Sequence, residues 1–277
     1  KNDKKQAAAA YTELLKQYPT YGDQTEIRLR KALCEYELKE YAEAYRGFYS
    51  ILFTEKGTQF NRYPEMLFWM IVTADEKGEH DEALKIAQRI LELIDDPKIR
   101  ERALIAVGNQ QVALQQWKEA LDNAVSFIKT YPKSLFLAEI DWSRAKALEG
   151  LEEFQKADEW YEKSLVELQK LGSPDPAFEA TLFMDRGRLL ERLGRTGDAL
   201  ESFLRVAIIY DHPELTPEAL YRCILCHTIL KEESDARSLY EELQKQYPDS
   251  PWTKKAKTEF GTILSPSSPG RDSGKSQ

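Results

Sequence analysis

The stretch GNQQVALQQWKEALDNAVSFIKTYP, residues 108–132, decides the fold. Ala120 is its centre, with Gly108 twelve residues before it, Trp117 three before, Ala124 four after and Pro132 twelve after. Steps of three and four residues put side chains on one face of a helix. A small residue at Gly108 lets a preceding helix lie close against that face. Proline disfavours helix at the residue before it, so Tyr131-Pro132 is a stop with a mechanism. The stretch therefore reads as a first helix, a short turn and a second helix.

Working outward, the same alanine recurs at Ala7, Ala44, Ala83, Ala157, Ala199 and Ala236, and the seven are spaced by 37, 39, 37, 37, 42 and 37 residues. Tyr-Pro pairs at 18–19 and 247–248 repeat the stop. A bulky residue opens the second helix at Tyr41, His80, Trp117 and Phe154. Four residues after the alanine come Tyr11, Phe48, Ala87, Ala124, Tyr161, Phe203 and Tyr240. Twelve before it the residue is small at Ala32, Gly108, Ala145 and Gly187, whereas Ile71 and Ile224 predict looser packing. Gly78 and Gly194 mark turns within pairs. One helix pair cannot bury both its apolar faces, so neighbouring pairs must stack. The predicted fold is all-α, a solenoid of antiparallel helix pairs. Residues 1–19 hold a second helix only, as a leading half repeat that has lost its first helix to truncation. Six full pairs follow at about 23–57, 60–96, 97–132, 134–172, 175–213 and 215–248. Asp249–Gly261 is predicted to cap the array. The solenoid is assigned to 20–262 and a disordered tail to 263–277, where SPSSPGRDSGKSQ begins at Ser265.

The set Gly108–Ala120–Pro132 resembles the tetratricopeptide repeat, and the likeness extends over about residues 5–262. The spacing of 37 residues is longer than that family's 34. The resemblance implies a right-handed superhelical solenoid and a non-enzymatic scaffold that binds a protein or peptide along its concave face, lined by the first helices. The phrases AAAAYTELLKQYPTY (7–21) and ARSLYEELQKQYPDSPWTKKAKTEF (236–260) are similar to a branch that includes the bacterial barrel-assembly lipoprotein and the Tol–Pal coordinator. That branch implies a periplasmic or cell-envelope location; YP-x-S endings also occur in cytoplasmic arrays, which is the alternative.

Fifteen residues before each alanine stands a stripe of large apolar residues: Leu29, Phe68, Ile105, Trp142, Met184 and Tyr221. It reads either as interhelical core or as the floor of an apolar groove with aromatic anchors. Eleven residues before come Leu33, Val72, Asn109, Lys146, Arg188 and Leu225, the positions that the resemblance turns toward a groove. The family's clamp for C-terminal carboxylates uses an asparagine at this position with nearby lysines. Asn109 matches it, and Ile105 stands where lysine would be needed. Lys146, Arg188 and Arg192 suggest a cationic segment beside Glu149 and Glu191. The partner-binding candidates are therefore Phe68, Val72, Ile105, Asn109, Trp142, Lys146, Met184, Arg188, Arg192 and Tyr221.

Cys223, Cys226 and His227 spell C-x-x-C-H, the pattern that attaches a c-type haem. Register places all three in the middle of the last pair's first helix, with Cys226 in the slot that Cys34 occupies in its own repeat. Each replaces an ordinary repeat residue, with no insertion to house a porphyrin. The reading is buried thiols acting as small hydrophobes, with no cofactor; a haem or thiol-redox protein is the alternative, and a self-association module a further one. His212 is the nearest candidate for a fourth zinc ligand, at a spacing that fits no zinc pattern. His80 reads as packing. No nucleophile is paired with a base and no phosphate loop is present, so no enzyme is expected.

The charges are mixed along the chain and sum to −8, which argues against nucleic acid, since a binder would carry a basic stripe. No apolar run approaches the ~18 residues of a membrane span. Three cysteines are too few for a disulfide scaffold. The chain begins at Lys1 rather than methionine, as a processed or excised piece would.

Overall fold

The computed structural model describes residues 2–20, 24–52, 64–210 and 212–264. They form the helices α1 (Asn2–Gln17), α2 (Gln24–Glu37), α3 (Tyr41–Leu52), α4 (Pro64–Glu76), α5 (His80–Leu93), α6 (Pro97–Ala113), α7 (Trp117–Thr130), α8 (Leu137–Gly150), α9 (Phe154–Lys170), α10 (Pro176–Arg192), α11 (Thr196–Ile209), α12 (Leu215–Leu230), α13 (Glu233–Gln246) and α14 (Pro251–Leu264). No strand occurs among the described residues. Helices α2/α3, α4/α5, α6/α7, α10/α11 and α12/α13 pack as five of the predicted pairs, and α8 and α9 fall within the fourth predicted span. Second helices open on Tyr41, His80, Trp117 and Phe154, the four bulky residues of the repeat. Helix α14 continues to Leu264, three residues past the predicted capping helix. The tail from Ser265 onward lies outside the described residues.

Two compact units divide the chain, Lys1–Glu153 and Phe154–Gln277, with the division in the turn between α8 and α9. Within each, the repeat alanine is the pivot of packing: Ala44, Ala83, Ala120, Ala157, Ala199 and Ala236 are all fully buried. Phe48, Tyr161 and Phe203, four residues on, are fully buried too. Burying one such side chain stabilises by about 1.5–3 kcal/mol. At Gly187 the small first-helix residue makes room for Phe203. A Cβ on Gly187 would stand 2.4 Å from the Phe203 ring. Ile71 and Ile224 depart from the expectation of looser packing, since they are 4% and 0% exposed. In the Ile71 repeat the bulk has changed sides, because Ala87 stands where two other repeats place Phe48 and Phe203.

The turns within pairs share a device. Five residues before each alanine the backbone is left-handed, at Lys39, Gly78, Gln115, Glu152, Gly194 and Lys231. The next residue's N–H then reaches back five residues to a helix carbonyl, as from Glu79 to Ala74 at 2.8 Å and from Glu232 to His227 at 2.9 Å. This closes the first helix in a Schellman-type cap. Two first helices also start on Asp-Pro: Asp96 Oδ1 accepts from Lys98 N and Ile99 N, and Asp175 Oδ1 from Ala177 N and Phe178 N. Each cap satisfies donors that the first helical turn leaves open.

Candidate functional site

In the first unit, three successive first helices line one groove. Phe68, Ile71, Val72 and Asp75 come from α4, Arg102, Ile105, Ala106, Asn109 and Gln110 from α6, and Phe136 and Glu139 from the start of α8. The cavity measures about 300 Å³. Helical spacing sets this arrangement: residues 68, 72 and 75, like 102, 105 and 109, lie on one face of their helix. Phe68 and Ile105 are half-buried and Val72 is 39% exposed, so the apolar floor is open to a ligand. The Arg102 guanidinium lies 4.0 Å from the centre of the Phe68 ring, a cation–π contact. Asn109 Oδ1 is enclosed by protein and accepts no hydrogen bond. Leaving such an acceptor unmet costs about 1–3 kcal/mol.

His80 does more than pack. Its Nδ1 meets Asp75 Oδ1 at 2.9 Å and Gln110 Oε1 at 3.1 Å, tying the end of α4 to α6 at the groove's rim. Asp75, Arg102, Phe136 and Glu139 were not singled out from the sequence. The signal existed: Arg102 and Glu139 sit eighteen residues before their alanines and Asp75 eight before, one turn beyond the positions read.

Trp142 and Lys146 are half-buried on α8. Trp142 packs beside Trp117 and Leu121 at the edge of an apolar cluster, and Lys146 Nζ lies 3.9 Å from Glu149. In the second unit the corresponding positions are closed. Met184 is fully buried and Tyr221 nearly so, which places both in the core, Tyr221 against Trp252 and Phe260 of α14. The Tyr221 hydroxyl donates to Glu259 at 2.6 Å. Arg188 is not a free cation: it donates to both Glu218 oxygens at 3.0 and 2.8 Å and to Asp185 at 3.0 Å. Arg222 bonds Glu218 at 2.7 Å and also pairs with Glu191. Arg192 is exposed and lies over the Phe154 ring.

Glu191 and Glu218 share Arg222 yet shift in opposite directions. Burial pushes both carboxyls up. At Glu218 the hydrogen bonds from Arg188 and Arg222 overcome it, and the carboxyl ends below its ordinary value. At Glu191 burial outweighs the one bond from Arg222, and the carboxyl ends above its ordinary value. Glu191 Oε1 is enclosed without a hydrogen bond, which is the physical difference between the two.

Cys223 and Cys226 are 0% and 1% exposed on α12, while Cys34 is half-buried. Burial pushes the Cys226 thiol up to about 12 and the Cys223 thiol further, so both are held as thiols. His227 is buried and its Nδ1 meets Glu232 Oε2 at 2.7 Å across the α12–α13 turn. These positions give the haem and thiol-redox readings no support, since a thiolate is the reactive form. Among the described residues, His227, Glu232 and Asp235 bring donor atoms within 4.8 Å of one another. Glu232 and Asp235 are exposed at the start of α13, where acidic groups favour a helix N-terminus without any ion. His212 Nδ1 accepts from Glu214 N and Leu215 N at the start of α12, so it serves that helix rather than the cysteines. No helix among the described residues is long and apolar enough to cross a membrane.

A family model described as tetratricopeptide repeat matches residues 1–52 and 179–251. No curated protein matches the chain in sequence. Among solved structures, a tetratricopeptide repeat protein from Parabacteroides merdae superposes with a TM-score of 0.66 at 13% identity, over 92% of this chain and 91% of that one. PilW, a type IV pilus biogenesis factor, gives 0.65 at 13% identity, over 85% of this chain and 99% of that one. A chain of the APC/C hetero-tetramer Cut9–Hcn1 gives 0.61 at 13% identity, over 91% of this chain and 45% of that one. At such identities the likeness speaks for the fold.

Proposed function

We propose, from a tetratricopeptide-repeat fold as premise, that this protein is a non-enzymatic interaction scaffold and that the groove over α4, α6 and α8 is where it holds a segment of a partner protein. One observation carries the reading: a groove of about 300 Å³ lined by three successive first helices, whose floor offers Phe68, Val72 and Ile105. An apolar side chain of that segment fills the floor. Trp142 and Lys146 on α8 extend the contact surface. In the second unit Arg192 is the exposed candidate, with Arg188 available only to a ligand that displaces Glu218.

The test is affinity capture from the native host with the parent chain and with Val72→Glu/Ile105→Glu, read by mass spectrometry. Partners held by the groove are expected to vanish from the variant, with helicity and melting temperature retained. The same partners recovered by both chains would overturn the reading. The envelope location rests on the phrases at 7–21 and 236–260, and fractionation of the host decides it: recovery only with cytoplasm would rule it out.

A further inference from the structure

We propose that the second unit has a docking surface of its own, at the loops that open α12 and α14, and that it takes a proline-rich partner segment carrying arginine or lysine. It shares no residue with the groove over α4, α6 and α8 and does not depend on that reading. A cavity of about 520 Å³ lies there, lined by the rings of Pro213, Pro217, Pro248, Pro251, Tyr247 and Trp252. Prolines have no N–H to donate, so these positions cannot hold an extended chain by strand-like pairing. What the surface offers is ring packing, and a polyproline II segment docks on aromatic-lined surfaces in that way because it arrives already ordered. Charge selects within that class. Glu214 and Asp249 are exposed in the same lining, neither carboxylate is bonded to a described residue, and no lysine or arginine lines the cavity. Arg222 and Lys255 lie over the Trp252 ring at 6.0 and 5.3 Å, with Arg222 held by Glu218 and Glu191 and Lys255 also over Tyr221. Within the cavity the unpaired charge is therefore of one sign, which draws a cation beside the prolines and repels an acid.

The same loop is built twice, and the contrast shows what is particular here. YPKSLF (131–136) and YPDSPW (247–252) share their tyrosine, proline, serine and closing aromatic residue. In each, the serine N–H donates to the tyrosine carbonyl at 3.1 Å. The serine hydroxyl then accepts from the aromatic residue's N–H, at 2.9 Å from Phe136 and 3.2 Å from Trp252. In the second loop the Thr253 hydroxyl also donates to the Tyr247 carbonyl. The frame is held before a ligand arrives, which lowers the cost of binding. Into that frame the second loop brings Asp249 for Lys133 and Pro251 for Leu135, an acid and a further proline ring.

Fluorescence anisotropy of labelled, end-blocked dodecapeptides on the full chain tests this. The Trp252 indole N–H is followed by NMR alongside, its signal assigned with Trp252→Phe. The first peptide carries four consecutive prolines and two arginines in a Gly-Ser frame. The second has glutamates for the arginines, and the third has glycines for the prolines. The first is expected to shift the Trp252 signal and to bind about fivefold tighter than either of the others. Asp249→Lys, which copies Lys133, should weaken it about fivefold with the melting temperature kept. Equal or tighter binding of the glutamate or glycine peptide would overturn the proposal, as would no binding at all or a Trp252 signal that stays still. Binding that appears only once residues 265–277 are removed would overturn it in favour of the chain's own tail. A dimer in light scattering that Asp249→Lys dissolves would overturn it in favour of a second copy.

Discussion

The first helices of the two units carry the same repeat positions and use them in opposite ways. In the first unit, Val72 stays open above an apolar floor. In the second, Arg188 at the same position is held by Glu218, and Arg222 ties Glu218 to Glu191. A repeat register fixes where a side chain stands. Its neighbour one repeat on decides whether that side chain serves the fold or a partner. Positions thirty residues apart settle it: 188 with 218 are arginine and glutamate, and 72 with 102 are valine and arginine.

The widest expected gap lies in the packing beneath. Gly108 and Gly187 occupy one repeat position, twelve before the alanine. A Cβ on Gly187 would stand 2.4 Å from the enclosed Phe203 ring, whereas on Gly108 it would meet the ends of Asn123 and Ser143 at 2.9 and 3.2 Å. Gly187→Val is expected to destabilise the second unit by about 3 kcal/mol, read by urea unfolding. Gly108→Ala should stay within about 1 kcal/mol, because polar side-chain ends move and alanine favours helix. Equal costs would erase the distinction.

The next effect strikes the ion pairs directly. Glu218→Gln leaves two arginines short of their shared partner, and its loss is expected to cost about 2 kcal/mol, below the value for fully buried pairs because Arg188 and Arg222 keep some solvent contact. Val72→Ser in the open groove should change stability by no more than about 0.5–1 kcal/mol. A Val72→Ser loss that matched Glu218→Gln would mean the groove floor is core.

The acidic pair then gives a sign to test. Glu218 lies below its ordinary value, so its contribution is fully present above about pH 4.3 and is lost as pH falls through the lower folded value. Glu191 lies above its ordinary value, so the folded state binds its proton more tightly and its contribution declines as pH rises toward that raised value. Glu191→Gln is therefore expected to flatten the fall in stability on the way to neutral pH, and Glu218→Gln to flatten the loss in acid. The reverse assignment in pH-dependent unfolding would refute the account of their partners.

Much of this was legible in the sequence for one reason: alanine spacing, bulky helix openers and Tyr-Pro stops are local, and local patterns set helices. The helices of all six predicted spans follow from them. The site was legible only in part. Phe68, Val72, Ile105 and Asn109 do meet in one groove, but Met184 occupies the same position as Phe68 and is buried. Whether a stripe residue is floor or core depends on helices packed from other repeats, which periodicity cannot report. Arg188 read as part of a cationic segment because its partner Glu218 lies in the next pair. The left-handed turns were half legible, since only two of the six carry glycine.

Those turns supply the smallest and cleanest prediction. At the same turn position Gly78 belongs to the first unit and Lys231 to the second, with φ of 75° and 64°. A side chain in this conformation crowds its own carbonyl, which glycine avoids. Lys231 already closes α12, with Glu232 N donating to His227 O at 2.9 Å. Glycine keeps that geometry and removes the crowding, while giving the unfolded chain more freedom. Lys231→Gly is thus expected to stabilise by about 0.5–1 kcal/mol, and Gly78→Lys to destabilise by a similar amount. Because the exchange touches neither groove nor ion pairs, partner capture should be unchanged in both variants. Capture that fell with Gly78→Lys would show that the turn holds the Asp75–His80 rim in place, and the groove would then depend on it.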